Sequence, residues 1–236
     1  WAWLVAAVCA YWFMNNLSSA VGKPRETLAV AKYKHTWVMS FLYIGTFGSF
    51  IGFGFAFGQV LQVQFKSDFP TPLDAAYLTF IGPLVGSLIR PIGGWLADHL
   101  GGARVTLVNF VLMGAAANIV LAASTQHSLP LYLVGFISLF VFSGVGNGST
   151  YKMIPAIFKA TRPTFHEARR MSGALIGLAG AIGAFGGVLV NVAFRESFLH
   201  SGKADSAYVA FIAFYAVCIV VTWAVYLRPG KRLAGV

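Results

Sequence analysis

Charged residues are scarce in this sequence: Asp, Glu, Lys and Arg together make up 10% of its 236 residues, whereas hydrophobic residues make up 58%. A soluble domain usually carries about 25% charged residues, because polar groups must cover its surface. The two cysteines, Cys9 and Cys218, both lie in apolar runs, which is typical of small core residues and not of a disulfide framework or a metal site. The composition therefore excludes an ordinary soluble domain and indicates a membrane protein.

Patterns that carry enzyme chemistry are also missing from the sequence. We recognise no nucleophile–base pair, no metal-ligand spacing and no phosphate-binding loop. The five histidines lie in loops or at the ends of apolar segments, where solvation is the simplest interpretation: they are His35, His99, His127, His166 and His200. We therefore predict neither an enzyme nor a bound cofactor.

Long apolar segments, in contrast, are abundant. Six of them are long enough to cross a bilayer, for which about 20 residues are needed. Backbone polar groups find no partner in hydrocarbon, so each segment is predicted to be a helix. The six segments are Trp37–Gln64, Leu73–Ala97, Val105–Ser124, Leu129–Phe158, Met171–Phe194 and Ala207–Leu227.

A shorter apolar run, Trp1–Met14, precedes the six segments. Because 14 residues are too few to span, we interpret residues 1–20 as the end of a membrane helix whose beginning is absent from this sequence. Residues 21–36 are then a loop between two bundles, residues 37–228 a six-helix bundle, and residues 229–236 a tail. The predicted fold is all-α, a six-transmembrane-helix bundle preceded by a partial helix.

Basic residues alternate between the loops. Twelve of the seventeen Lys and Arg residues lie in alternate loops and the tail, three lie in the other loops, and Arg90 and Lys152 lie within segments. The positive-inside rule places the basic side, including the tail, in the cytoplasm. Membrane orientation thus explains the net charge of +10, and no nucleic-acid partner is needed.

Arg90 is the most informative residue, because it lies inside the apolar segment Leu73–Ala97. A guanidinium stays protonated at any physiological pH, and holding one at bilayer depth costs at least about 2.5 kcal/mol. The seven acidic residues all lie between the apolar segments or at their ends. An anionic substrate is therefore the simplest partner for Arg90.

The stretch Gly94-Trp-Leu-Ala-Asp98-His-Leu-Gly-Gly-Ala-Arg104 is predicted to form a short cytoplasmic turn between two spans. It resembles the G-x-x-x-D-R-x-G-R-R loop of the major facilitator superfamily, although His99 stands in place of the usual Arg and one basic residue closes the motif. Asp98 and Arg104 can latch neighbouring helix ends; the alternative is an ordinary polar turn. Such loops recur in the two six-helix halves of these transporters, so the bundle resembles the C-terminal half.

Two further stretches combine glycine with polar groups. In the segment Met171–Gly187, six small residues fall within about one third of the helix circumference at 100° per residue. This arrangement favours close helix packing and can also expose backbone beside a small ligand. The six residues are Gly173, Gly177, Gly180, Gly183, Ala184 and Gly187. In the stretch Phe142–Pro155, Asn147 supplies a polar group and Lys152 either snorkels towards the cytoplasm or contacts the substrate.

Together these stretches resemble the nitrate/nitrite porter family of the major facilitator superfamily. The matching pieces are Tyr43-Ile-Gly-Thr-Phe47-Gly-Ser-Phe-Ile-Gly, Arg90-Pro-Ile-Gly-Gly, Gly146-Asn-Gly-Ser-Thr and Ala179-Gly-Ala-Ile-Gly-Ala-Phe-Gly-Gly187. The resemblance implies a carrier in the bacterial cytoplasmic membrane that binds nitrate and nitrite with one Arg from each half. Arg90 matches the Arg of the second half, and the N-terminal six-helix half is the missing partner. It implies substrate-binding roles for Arg90, Tyr43, Phe47, Asn147, Gly180 and Gly183, and structural or gating roles for Asp98, Arg104, Gly173, Gly177 and Gly187.

The chemistry of the residues agrees with that implication. Nitrate is planar and singly charged, and a guanidinium donates in a planar fork that suits an oxyanion better than a lysine does. Tyr43 and Phe47 are four residues apart and share a helix face, although packing alone also explains them. We expect nitrate/nitrite antiport; proton-coupled nitrate symport, transport of another small anion and a non-transporting channel or sensor remain alternatives.

Overall fold

The computed structural model describes residues 2–14, 28–161, 164–230 and 236. Its regular structure in these ranges is helical throughout, so the predicted all-α fold is confirmed. A short helix α1, Ala2–Phe13, is followed by a single 3₁₀ turn, Ala29–Lys32, and by six long helices. These are α2 Lys34–Gln64, α3 Leu73–Leu100, α4 Gly102–Thr125, α5 Leu129–Thr161, α6 Phe165–Ser201 and α7 Asp205–Leu227.

All six long helices, of 23 to 37 residues, are long and apolar enough to cross a membrane. The six predicted spans are therefore all present. Helix α1 has 12 residues and every side chain described in it is exposed, so it contributes nothing to the core. Residues 15–27 of the predicted inter-bundle loop lie outside the described residues, as do residues 231–235 of the predicted tail.

The helix ends differ from the sequence-based prediction in three places. Helix α2 begins at Lys34, inside the predicted loop, and α6 extends well beyond Met171–Phe194 at both ends. The stretch Gly94–Arg104, predicted as a turn, is helical except at Gly101, whose φ of 89° reverses the chain. Only glycine adopts that backbone conformation readily. The single residue Gly101 therefore connects the two helices, where we expected a turn of eleven residues.

Local capping interactions account for the extension of α6 at both ends. The Oγ1 of Thr164 accepts a hydrogen bond from the backbone N–H of Glu167 at the start of α6, and Gly202, with φ of 67°, closes the same helix. At the start of α3, Thr71 and Asp74 form a reciprocal capping box. Such caps satisfy the free backbone groups of a helix end. The first turns of α2, α4 and α7 have no side-chain cap.

Helix α5 is the centre of the bundle and packs against α2, α3, α4 and α6. Aromatic rings fill the space between α2 and α5: Phe57 and Phe136 stack with centroids 4.5 Å apart. Tyr132 and Tyr208, both fully buried, share a 2.9 Å hydrogen bond between their hydroxyls. This bond satisfies two polar groups that would otherwise be costly in an apolar core.

Glycines allow α3 and α5 to approach each other to backbone contact. A Cβ atom on Gly93 would overlap the backbone of Val145, one on Gly148 would overlap the carbonyl oxygen of Arg90, and one on Gly144 would overlap the carbonyl oxygen of Gly86. Small residues at such crossings allow van der Waals contact between membrane helices. The α3–α5 contact fixes the backbone on both sides of Arg90.

Replacing Gly144 with valine tests this crossing. The new side chain meets backbone atoms of α3, which cannot move aside like a flexible side chain, so we expect a destabilisation of at least about 1–3 kcal/mol and a lower melting temperature in detergent. Gly114→Val is the matched control, because nothing lies within 4 Å of a Cβ atom at Gly114. Equal melting temperatures for the two variants would contradict the packing described here.

Candidate functional site: an unpaired guanidinium between three helices

Arg90 lies at the point where α3 is interrupted. Regular α-helix stops at Leu88 and resumes at Arg90, and Pro91, which has no N–H to donate, follows directly. The Arg90 side chain is half-buried. Its Nε is buried without a hydrogen-bond partner, and within the described part of the chain no carboxylate pairs with the guanidinium. This is the residue that the sequence singled out as a cation inside an apolar segment.

Aromatic rings of α2 support the guanidinium from one side. The Cζ atom of Arg90 lies 4.3 Å from the ring centroid of Phe50 and 5.7 Å from that of Phe47. Each such cation–π contact contributes from about 0.5 to about 2 kcal/mol, depending on desolvation. The two rings hold the guanidinium in place without neutralising its charge.

The hydroxyl of Tyr43 donates a 2.7 Å hydrogen bond to Oδ1 of Asn147 on α5. Both residues are buried, and the Nδ2 of Asn147 has no partner among the described residues. The ring of Tyr43 stacks on that of Phe47, with centroids 5.1 Å apart and planes at 23°. Tyr43 and Phe47 thus lie on the same helix face, as predicted, and their rings stack on each other.

A π-helical turn, Ile44–Gly48, begins directly after Tyr43 and contains Phe47. Such turns insert one extra residue into a helix and are frequent at functional sites. The turn changes the direction of the helix surface between the two aromatic residues.

Tyr43, Arg90 and Asn147 line a partly open cavity of about 680 Å³ between α2, α3 and α5. Arg90 and Asn147 each carry a buried donor, Nε and Nδ2, that has no hydrogen-bond partner among the described residues. No described carboxylate balances the guanidinium charge, so the cavity is suited to a ligand that supplies negative charge and acceptor oxygens. The lining residues are Tyr43, Ser87, Arg90, Pro91, Gly94, Trp95, Asp98, Asn147, Gly148, Tyr151 and Lys152.

The glycines of α6 divide into two groups. A Cβ atom on Gly183 would meet Cδ1 of Tyr43 at 2.7 Å, and one on Gly187 would meet Cγ2 of Ile51 at 2.7 Å, so both allow α6 to pack closely against α2. Nothing lies within 4 Å of a Cβ atom on Gly173, Gly177 or Gly180. The structure therefore places Gly183 beside the site, and leaves Gly173, Gly177 and Gly180 facing open space.

Asp98 and Arg104, the two charged residues of the predicted turn, lie at different sites. Asp98 Oδ2 accepts a 2.7 Å ion-paired hydrogen bond from Lys152 Nζ on α5, and both lie in the cavity that contains Arg90. Arg104 lies at a different groove, with Leu100 and Val108. The structure thus pairs Asp98 with Lys152 and not with Arg104.

Sequence reasoning did not identify Phe50, Trp95 or Tyr151 as site residues. Phe50 has the ring closest to the guanidinium, and Tyr151 lies 6.4 Å from Tyr43 between ring centroids. Helical spacing was the available signal, because Phe50 follows Phe47 by three residues and Tyr151 follows Asn147 by four. In a chain with 21 Phe residues, that signal has little specificity.

Six membrane-length helices, three of which enclose a guanidinium without a carboxylate partner among the described residues, define a polytopic membrane protein with a cavity suited to an anion. No family model matches the chain. It is 36% identical to the nitrate/nitrite transporter NarU of Salmonella typhimurium, and 33% identical to NarU of Escherichia coli and to the probable nitrate/nitrite antiporter NarK2 of Thermus thermophilus. Each match covers 97% of this chain and 50–52% of the relative.

The chain belongs to the nitrate/nitrite porter family, as its motifs indicated, and it spans about half the length of the curated relatives it matches. Each of these relatives is named as a transporter or an antiporter and none as an enzyme, in agreement with the prediction from the sequence.

The hydrogen bond between Tyr43 and Asn147 can be tested by removing one partner and then both. Tyr43→Phe leaves Oδ1 of buried Asn147 without its donor, which costs about 1–3 kcal/mol, and should lower the melting temperature in detergent. Adding Asn147→Leu removes the unpaired amide and should restore most of that loss. A Tyr43→Phe variant that melts at the wild-type temperature would show that the bond does not stabilise the site.

Proposed function

We propose that this chain is the C-terminal half of a carrier that moves nitrate and nitrite across the bacterial cytoplasmic membrane, and that Arg90 holds the anion. One observation carries the proposal: Arg90 lines a cavity between three membrane-length helices, with its Nε unpaired and no carboxylate partner among the described residues. A permanent cation at that depth is costly unless an anion visits it.

The donor set favours a small, flat oxyanion. A guanidinium presents its donors in one plane, which matches the geometry of a planar oxyanion. Asn147 lines the same cavity, and its Nδ2 has no hydrogen-bond partner among the described residues. The rings of Phe47 and Tyr43 offer flat apolar surface beside these donors. Nitrate and nitrite, named in the descriptions of the relatives, fit this combination of charge, planarity and small size.

Alternating access is the mechanism that this arrangement supports. Carriers of this kind bind substrate near the bilayer midplane between two bundles, which rock about the site. The cavity lies against α2, α3 and α5 and is partly open, and the chain is about half the length of its relatives, so we infer that a second bundle supplies the opposite wall. The positive-inside rule places the Gly101 turn and the C-terminal end in the cytoplasm.

Charge balance favours exchange of one anion for another. If the second bundle contributes another arginine, as the family resemblance implies, then two unpaired cations face each other when the site is empty. Their repulsion opposes closure, and a bound anion removes it. Asp98, the carboxylate that lines the described cavity, is paired with Lys152, so it is not a free proton carrier. Proton-coupled nitrate symport and transport of another small anion remain the alternative functions.

Arg90→Lys tests the role of the guanidinium. The variant keeps the charge but loses the planar donor fork, and loss of one charge-assisted hydrogen bond costs about 1.5–3 kcal/mol. We therefore expect the uptake of labelled nitrate into proteoliposomes to fall roughly 10- to 100-fold, while the variant still inserts and elutes as a folded protein.

Arg195→Lys is the matched control, because the Arg195 side chain is 68% exposed and pairs with its neighbour Glu196, outside the cavity. It should transport at the wild-type rate. Near-normal uptake by Arg90→Lys would contradict the proposed anion contact.

The coupling mode can be measured with the contents of the vesicles. For antiport, labelled nitrate should enter proteoliposomes preloaded with nitrite much faster than empty ones, and an imposed pH gradient should change the rate little. Uptake into empty vesicles that rises with external acid would indicate proton symport instead. Competition by nitrite, formate and chloride would define the anion preference, and currents far above carrier turnover would indicate a channel.

A further inference from the structure

The ion pair between Lys152 and Asp98 lines the same partly open cavity as Arg90. Its two side chains are 50% and 53% exposed, and Nζ lies 2.7 Å from Oδ2. Ion pairs with this much exposure contribute only about 0–1 kcal/mol to stability. Fastening α5 to α3 is therefore a small part of what the pair can do, since the glycine crossing already holds these helices together.

The pair and Arg90 lie in series along the helix axes. Asp98 follows Arg90 by eight residues in α3, about 12 Å along the axis at 1.5 Å per residue. Lys152 follows Asn147 by five residues in α5, about 7.5 Å further towards the same end of the bundle. The Cε of Lys152 is 3.6 Å from the Cβ position of Gly94, one turn beyond Arg90, so the lysine stem lies along the wall between the two charged groups.

We propose that Lys152 is a second contact for the anion, on the route between Arg90 and the cytoplasmic end of the cavity, and that Asp98 is a fixed counter-charge that keeps the anion from remaining there. The proposal rests on the proposed function and adds a release step to it. An ammonium carries three donors, so Lys152 can contact an anion through a free donor while another stays on Asp98. A flexible point charge suits transient contact better than the planar fork of an arginine.

The balance between the two charges gives each residue a different effect on the anion. With Asp98 present, the Lys152–Asp98 pair is neutral as a whole, and the anion moves past it towards the cytoplasmic end of the cavity. Without Asp98, Lys152 adds a full positive charge to the cavity and should trap the anion. Without Lys152, the carboxylate of Asp98 stands unpaired on the route and should repel it. A unit charge about 12 Å from an anion at Arg90 changes its affinity by roughly tenfold at an effective dielectric of about 20.

This role can be distinguished from simple fastening by the sign of the effects. If the pair only joins α3 to α5, then Asp98→Asn and Lys152→Met remove the same contact and should change anion affinity and melting temperature in the same direction. If the pair sets the charge of the route, the two variants should change anion affinity in opposite directions, whatever happens to stability.

The test is a double-mutant cycle on the full-length protein in detergent and in proteoliposomes. Nitrate, nitrite, formate and chloride are each titrated, with ligand-induced thermal stabilisation as the binding measurement, and initial rates of uptake are measured in parallel. We expect Asp98→Asn to tighten binding up to about tenfold and to slow turnover, and Lys152→Met to weaken binding up to about tenfold. The double variant should return to within about threefold of the wild-type affinity.

Lys152→Arg is the conservative control: it keeps the charge and should stay within about threefold of wild type. Single variants that shift affinity in the same direction, or leave it unchanged for all four anions, would overturn the proposal. Opposite shifts seen with formate or chloride but with no nitrate or nitrite binding would support the charge-balanced route while contradicting the nitrate assignment. The two proposals can therefore fail separately.

Discussion

The positive charge of Arg90, in a partly open cavity between three membrane-length helices, is the constraint on which the rest of the structure depends. The surrounding chain holds this charge in position but does not neutralise it: Phe50 and Phe47 contact the guanidinium through their rings, and its Nε keeps no acceptor among the described residues. In the carrier that we propose, a carboxylate in contact with Arg90 would hinder anion binding, because an incoming anion would have to displace it. The lack of such a partner among the described residues therefore supports the proposed role of Arg90.

The glycines of the bundle allow close helix packing near Arg90 and leave one face of α6 open. Gly93 and Gly148 bring the backbones of α3 and α5 together beside Arg90, and Gly183 brings α6 against the ring of Tyr43. Side chains at these positions would push apart the helices that supply the donors. Gly177 and Gly180 meet no atom of the described chain, so their face of α6 is free for close approach by another helix. Helix α6 therefore packs against α2 at Gly183 and presents an open face at Gly177 and Gly180.

Much of the architecture was predictable because hydropathy is a property of whole segments. Six apolar segments predicted six helices, and α2 to α7 are those helices. The errors lie at helix ends, as at Gly101 and Thr164, because a capping hydrogen bond or one left-handed glycine depends on single atoms and leaves no trace in average hydropathy. Arg90 could also be identified from the sequence, because a permanent charge inside an apolar segment is energetically costly and is visible without knowledge of the fold.

The sequence by itself determined an all-helical membrane bundle and its span count, because bilayer thickness and backbone hydrogen bonding leave no other solution for such segments. It also placed a permanent cation, Arg90, inside one of these segments. Only the tertiary structure decided which side chains meet. The hydrogen bond from Tyr43 to Asn147 joins residues 104 apart in the chain, and the ion pair of Lys152 with Asp98 joins residues 54 apart. Such pairings depend on how far each helix is rotated and shifted against its neighbour, which glycine contacts set and segment hydropathy does not.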